Sequence, residues 1–321
     1  VISSPDAILL FEPDPPAELA AYATGLAREV PAAGVIAAGT MADALAAARD
    51  AVALVAKAQN VSAELVAAMP GLRWIQALTT GIDPLLRLRL PSGLVVTSVR
   101  GIHGPQMAEL TLLLMLALAR GLPRMLENQR HARWRRWGQP LLAGRRLVIV
   151  GVGAIAEAIA ARCRPFGIRI VGVSGRSAAP GFDEVLPRTR LREAAATADF
   201  LVLVVPYSLD THHLVDAEII AAMKPNAFLI NVARGGVVDE VALVEALRSR
   251  RIAGAGLDVF TSEPLAENSP LWSMDNVIVT PHIGGMSDVY AEQVLPVLAA
   301  NVRAFMAGRP EAMQNRVELS Q

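Results

Sequence analysis

Short apolar runs alternate with longer stretches of helical periodicity along almost the whole chain. Residues 7–11 (Ala-Ile-Leu-Leu-Phe) read as a strand, Pro16 to Val30 as a helix, 35–37 as a second strand and Met41 to Arg49 as a helix. Runs at 51–56, 74–78 and 94–98 read as three further strands, with a helix from Ser62 to Met69 between the first two. The segment Arg100-Gly101-Ile102-His103-Gly104-Pro105 breaks the pattern, and a long helix is expected over Met107 to Leu118. Further strands follow at 146–150, 169–173, 200–205, 227–231, 255–259 and 277–279. Strands that alternate with helices bury both faces of a parallel sheet, so the pattern predicts an α/β chain with two doubly wound parallel-sheet domains. The first of them is flavodoxin-like in its strand and helix rhythm.

One strand-to-helix junction carries a dinucleotide fingerprint. The apolar run Arg146 to Val150 is followed at once by Gly151-Val152-Gly153-Ala154-Ile155-Ala156 and then by a helix-compatible stretch from Glu157 to Cys163. Gly151 permits the tight turn, and Gly153 lets the backbone approach a pyrophosphate resting on the helix N-terminus. The next strand, 169–173, should end in Asp or Glu if the cofactor were NAD. Ser174-Gly175-Arg176-Ser177 stands there instead. A carboxylate would repel a 2′-phosphate, whereas a guanidinium can grip one in a bidentate charge-assisted pair. The pattern therefore favours NADP(H), with NAD(H) possible; the competing reading makes Arg176 a solvated loop charge.

Three charged residues stand out where apolar strands give way to loops. Arg234 follows Ala227 to Val232 and precedes Gly235-Gly236; Glu263 follows Ala255 to Phe260 and precedes Pro264; His282 sits in Thr280-Pro281-His282-Ile283-Gly284-Gly285. Open α/β sheets build their ligand crevice at such places. A base, a carboxylate to tune it and a cation for an anionic substrate form a coherent chemical set.

These stretches, together with Thr79-Thr80-Gly81-Ile82-Asp83, Val205-Pro206, Asn231-Val232-Ala233 and Leu257-Asp258-Val259-Phe260, resemble the D-isomer-specific 2-hydroxyacid dehydrogenase family. The resemblance implies Arg234, Glu263 and His282 as a catalytic trio and Asp258 as partner of the nicotinamide carboxamide. It implies backbone N–H groups near Thr80 and Gly81 as a second anchor for a substrate carboxylate. Cofactor contacts would come from Gly151, Gly153, Ala154, Ile155, Ser174, Arg176, Ser177, Val205, Pro206, Val232, Ala233, Asp258 and Gly284. It further implies a Rossmann cofactor domain, residues 101–287, inserted in a flavodoxin-like substrate domain, residues 1–100 and 288–321, with a helix from Ser287 to Met306 crossing back and hinges near 100 and 287. The Ser174-Gly175-Arg176 segment looks like that of the family's NADPH-using glyoxylate and hydroxypyruvate reductases. The expected reaction is reversible reduction of a small 2-keto acid to the D-2-hydroxy acid. Arg234 would clamp the carboxylate, and His282 would donate the proton. Glu263 would orient the ring and favour its charged form. Formate dehydrogenases of the family carry Gln in place of the Glu, so Glu263 argues against that activity. Phosphite dehydrogenases mostly use NAD, which the missing acid disfavours. Corepressors of the C-terminal-binding type share fold and trio and are the non-metabolic alternative, a nucleotide-sensing interaction protein with little turnover.

Composition narrows the rest. With 321 residues, 53% of them hydrophobic, the chain is too long for one ordinary core. Its formal net charge is zero, so no global field draws nucleic acid or an anionic membrane. Cys163 is the sole cysteine and reads as a small buried residue, which fits a reducing cytoplasm. No zinc-like His/Cys spacing occurs. The start, Val1 to Asp6, lacks a basic region before an apolar run and is not read as a signal peptide, and the apolar stretch Leu110 to Ala119 falls short of the ~20 residues that span a bilayer. The basic, aromatic cluster Arg130 to Trp137 reads as an arm near a homodimer interface in preference to an amphipathic helix with buried Trp residues, and least of all as a nucleic-acid surface. His103 reads as a loop His and Lys57 as a solvated loop Lys; their alternatives are contact with substrate or cofactor for His103, and a place at the substrate mouth for Lys57.

Overall fold

The computed structural model describes residues 7–318. The start at Val1 to Asp6, where a targeting segment was weighed, lies outside them. Two compact units divide the chain: one runs to Ile102 and resumes at Ser287, the other is His103–Met286.

The first unit is built from β1 (Ala7–Phe11), α1 (Pro16–Glu29), β2 (Val35–Ala38), α2 (Met41–Ala48), β3 (Ala51–Ala56), α3 (Ala63–Ala67), β4 (Trp74–Ala77), α4 (Asp83–Leu86) and β5 (Val95–Thr97). Pro16 opens α1 at the position where a missing N–H costs nothing, and Thr40 caps α2 by accepting from the Asp43 N–H. The sheet is parallel throughout, in the order β2-β1-β3-β4-β5. Its order reverses between β1 and β3, the place where doubly wound sheets open a crevice. Here that crevice is filled: the Lys57 ammonium lies 3.3 Å from Glu12 Oε1 and 2.7 Å from Glu18 Oε2, and it donates to the Asp14 carbonyl. Lys57 is thus not a solvated loop lysine, for its side chain is only 13% exposed and is paired with two carboxylates.

The second unit contributes α5 (Gly104–Arg120), α6 (Leu122–Arg130), β6 (Arg146–Val150), α7 (Ala154–Cys163), β7 (Arg169–Val173), β8 (Glu184–Leu186), α8 (Leu191–Thr197), β9 (Phe200–Leu203), α9 (Ala217–Ala222), β10 (Phe228–Asn231), α10 (Glu240–Arg248), β11 (Gly254–Leu257) and β12 (Val277–Val279). Its seven strands are parallel in the order β12-β11-β10-β9-β6-β7-β8. Each face carries its own apolar layer. Leu201, Leu229 and Leu257 belong to one, and Leu147, Ile149 and Ile230 join α5 and α7 in the other. The α5 backbone comes close to the sheet because Gly256 leaves room for Leu114, which a Cβ there would meet at 3.1 Å.

The chain then returns to the first unit as α11 (Tyr290–Met306). A buried polar network seats it. Asn301 donates to Gln76 Oε1 at 2.8 Å and accepts from the Gln314 N–H at 2.7 Å, while Thr97 donates to the same Gln76 oxygen and accepts from Trp74 Nε1. Such a network stabilises only when it is complete.

Two details depart from the sequence reading. The cluster from Arg130 to Trp137 is not an amphipathic helix with buried Trp residues: α6 stops at Arg130, residues 133–140 run without helix or strand, and Trp134 is 88% exposed. Trp137 packs instead under the Arg124 guanidinium, 4.4 Å from its ring centre. The short edge strand β8 was not anticipated, since three residues flanked by polar neighbours give no periodicity to read.

Replacing Asn301 by Leu keeps the branched outline of the side chain but strands the Gln76 and Gln314 groups. Unfolding by denaturant should show a loss of about 2–4 kcal/mol, the cost of leaving buried partners unpaired; a loss below ~0.5 kcal/mol would show that the network does not hold α11.

Candidate active site

Register brings the site residues to one edge. Asn231 pairs with Leu203 on one side and Leu257 on the other, Leu257 pairs with Val279, and Leu203 pairs with Val150. The carboxyl ends of β12, β11, β10, β9 and β6 are therefore level. The loops that leave them carry His282, Glu263 with Asp258, Arg234, Val205-Pro206 and Gly151, in that spatial order. The strand order reverses between β6 and β9, which is where a doubly wound sheet opens for a ligand.

His282 is placed by its loop. Asp258, almost fully buried at the end of β11, accepts from Thr280 Oγ1 (2.6 Å), the Ile283 N–H (3.0 Å) and the Gly284 N–H (2.9 Å). This one carboxylate brackets the loop on both sides of His282, whose φ of +54° lies in the left-handed region that non-glycine residues rarely enter. Glu263 then meets the ring: its Oε2 lies 2.7 Å from His282 Nδ1, while Oε1 accepts from the Phe260 N–H at 3.0 Å. An ionised carboxylate only accepts, so Nδ1 carries the proton and Nε2 is the nitrogen left for exchange with a ligand.

Arg234 is set by the turn after β10. The Asn231 side chain donates to the Arg234 carbonyl at 3.0 Å and accepts from the Ala233 N–H at 3.1 Å, and Arg234 Nη1 donates to the Ala233 carbonyl. Gly235 lets this turn touch the next loop, since a Cβ there would fall 1.9 Å from the Phe260 carbonyl carbon. The charges respond to one another. Burial works to raise the Glu263 carboxyl, but hydrogen bonds from His282 and the Phe260 N–H, with the charges of His282 and Arg234, outweigh it and hold the group below the usual carboxylate range. His103, 8% exposed at the start of α5, is pushed down to about 4 by burial first and by the Arg234 charge second, so its ring is neutral near pH 7. It backs onto Gly285, where a Cβ would stand 3.3 Å from its Cδ2, and it feels the Arg234 charge.

The glycine turn has the form a dinucleotide needs. Gly151 has φ +95°, and a Cβ on it would lie 2.9 Å from Val205 Cγ1, so only glycine fits where β6 and β9 part. Gly153 precedes α7 in extended conformation with nothing within 4 Å of the place a Cβ would take. The first turn of α7 presents the N–H groups of Ala154 and Ile155 without intrahelical acceptors, and Ala156 is fully buried beneath them. After β7, the Ser174 side chain accepts from the Arg176 N–H at 3.2 Å, and Ser177 is exposed beside it. Val232 and Ala233 are buried, whereas Pro206 is exposed. Thr80 and Gly81 belong to the first unit, in the loop after β4, where the Thr80 hydroxyl donates to the Val99 carbonyl at 2.6 Å. Sequence reasoning missed the positioning roles of Asn231, Thr280 and Gly235. A polar residue closing an apolar strand was the available signal for Asn231.

A profile of the D-isomer specific 2-hydroxyacid dehydrogenase NAD binding domain matches residues 112–284. The chain is 36% identical to a glyoxylate reductase of Thermococcus onnurineus over 286 residues, 85% of each protein. This chain belongs to the D-isomer specific 2-hydroxyacid dehydrogenase family. It is an oxidoreductase of NAD(P)-dependent type. A family member from Aeromonas salmonicida superposes with a TM-score of 0.89 at 34% identity, covering 99% of this chain and all of that one. An NADPH-dependent glyoxylate/hydroxypyruvate reductase of Sinorhizobium meliloti, solved with NADP and sulfate, gives a TM-score of 0.82 at 26% identity with 98% of each chain covered. Among the described residues of this family member, no group of His, Cys, Asp and Glu is arranged for a metal ion, and no helix is long and apolar enough to cross a membrane.

Asp258→Asn would set an NH₂ against an N–H or hydroxyl donor of the 280–284 loop. Amide exchange at Ile283 and Gly284 should accelerate by about tenfold or more, matching the loss of charge-assisted bonds worth roughly 1.5–3 kcal/mol. Unchanged protection at both amides would show that the bracket does not hold the loop.

Proposed function

We propose that this protein reduces a small 2-keto acid, such as glyoxylate or hydroxypyruvate, to the D-2-hydroxy acid with NADPH as the preferred cofactor. The observation that carries the reading is the Glu263–His282 hydrogen bond beside the Arg234 charge, on the same strand edge as the glycine turn. The names of the Thermococcus and Sinorhizobium proteins support the substrate class, and the NADP in the latter supports the cofactor.

The backbone of Gly151, Gly153, Ala154 and Ile155 is proposed to hold the pyrophosphate, and Ser174, Arg176 and Ser177 the 2′-phosphate. Val205, Pro206, Val232, Ala233, Asp258 and Gly284 would border the nicotinamide, which supplies hydride when bound. Arg234 clamps the substrate carboxylate and polarises the keto oxygen as charge grows there, with backbone N–H groups near Thr80 and Gly81 as a second anchor. His282 donates its Nε2 proton to the developing alkoxide. Glu263 fixes the ring through Nδ1 and so aims Nε2 at the substrate. A homodimer belongs to the same reading: Leu113, Leu122, Leu126, Trp134 and Leu141 are all exposed on α5, α6 and the following arm. So does a cytoplasmic setting, because a single cysteine, Cys163, leaves no disulfide to form within the chain.

Steady-state turnover with NADPH on a panel of 2-keto acids is the primary test; no turnover on any of them would favour the nucleotide-sensing alternative. In Arg176→Ala, selection of NADPH over NADH should fall by about tenfold or more, as expected for a charge-assisted phosphate contact. Equal losses with both cofactors would remove Arg176 from the phosphate site.

The pH dependence has a definite sign. Glu263 is held below the usual carboxylate range, so its charge-assisted bond to His282 should persist as pH falls and be lost only as pH drops through that lowered range. Reduction should therefore keep its acid side until Glu263 takes up a proton. Glu263→Gln keeps a hydrogen-bonding group but loses the charge, so turnover should fall by about tenfold or more with NADPH affinity nearly unchanged, and that acid limb should disappear. Unchanged turnover and an unchanged acid limb, with chemistry rate-limiting, would mean that Glu263 does not position the ring. Sedimentation that returns only a 34.0 kDa monomer at micromolar concentration would reject the dimer.

A further inference from the structure

We propose that Glu157 competes with the 2′-phosphate of NADP(H) for the Arg176 side chain, and so sets how strongly this protein prefers NADP(H) to NAD(H). The inference rests on the cofactor reading above and adds a residue to it that no motif marks.

The geometry is specific. Glu157 lies in the first turn of α7, just past the N–H groups proposed for the pyrophosphate. Its Oε1 stands 3.4 Å from Arg176 Nη1. The contact joins the loop after β7 to the first turn of α7. Its backbone N–H is meanwhile fixed on Ser174 Oγ at 3.2 Å. One long, single-point bond between partly exposed groups is weak, so it can be exchanged for a better one. A phosphate monoester carries up to two negative charges and takes a guanidinium in a two-pronged fit.

The consequences differ for the two cofactors. With NADP(H), Arg176 must either leave Glu157 or serve two anions at once, and the carboxylate opposes the phosphate in both cases. With NAD(H), no phosphate competes, and a carboxylate beside the ribose can accept from its 2′-hydroxyl, the task of the acid that Ser174 replaces. Glu157 therefore acts as a positioning residue through Arg176, and it narrows a preference that Arg176 creates.

The test is a double-mutant cycle on the full-length protein. Kd values for NADPH and NADH are measured by fluorescence titration, with kcat/KM on glyoxylate, for wild type, Glu157→Gln, Arg176→Ala and the double variant. Gln has nearly the same size and helix propensity, and the site is partly exposed, so folding should be retained; a thermal melt checks it. Glu157→Gln should raise the NADPH-to-NADH affinity ratio by about threefold to tenfold, the range of a screened ion pair plus relieved like-charge repulsion. In the Arg176→Ala background the same change should alter the ratio by less than about twofold. An unchanged ratio in Glu157→Gln overturns the proposal. So does an equal gain with Arg176 absent, which would make Glu157 a simple repulsive charge. If Arg176→Ala itself leaves the ratio alone, the NADP reading falls and this inference with it. If Arg176→Ala abolishes selection while Glu157→Gln does nothing, only the inference falls.

Discussion

The level parallel ladder at the carboxyl edge of the second sheet is the constraint on which everything else hangs. Five strand ends are locked side by side by backbone hydrogen bonds, and each releases a loop that carries one of the candidate site residues. A slip of one residue in β11 would turn Asp258 to the opposite face and release the 280–284 loop. Small residues make the alignment possible: Gly235 lets two loops share backbone contact, and Gly151 lets two strands part without a side chain between them.

On that frame the electrostatics are arranged as a chain of partners. Arg234 helps to keep Glu263 ionised and His103 neutral, and Glu263 in turn holds the His282 ring by one nitrogen. His282 and Glu263 both remain partly open to solvent, so the pair is held by geometry from below and not by burial. Asp258 has the complementary part. It is buried and spends both oxygens on the loop that carries His282.

Much of this was legible in the sequence. Strands β6, β7 and β12 were readable to the residue, because buried parallel strands appear as unbroken apolar runs. The glycine turn and the trio at the strand ends were legible for the same reason: charge and glycine stand out against such runs. What escaped depends on contacts between distant segments. Lys57 looked like a loop cation because Glu12 and Glu18 lie far from it in sequence, yet they claim it in the fold. The burial of His103 and the Arg234 charge it feels could not be read either, because the two lie 131 positions apart. For the arm beyond α6 the amphipathic-helix alternative fails, since Arg and Trp at helical spacing look amphipathic whether or not a helix forms.

The plugged reversal in the first sheet sets the two scaffolds apart. Both sheets are wound so that a crevice should open where strand order turns back, and a common ancestry of shape would allow each to take a nucleotide. In the first, the Lys57 ammonium and two carboxylates occupy that place, and burial pushes the Glu12 carboxyl upward even against the pull of Lys57. A phosphate arriving there would meet acids and a cation already taken. Two similar scaffolds on one chain thus differ at their reversals: the first carries Glu12 and Lys57 in contact, the second the open turn at Gly151.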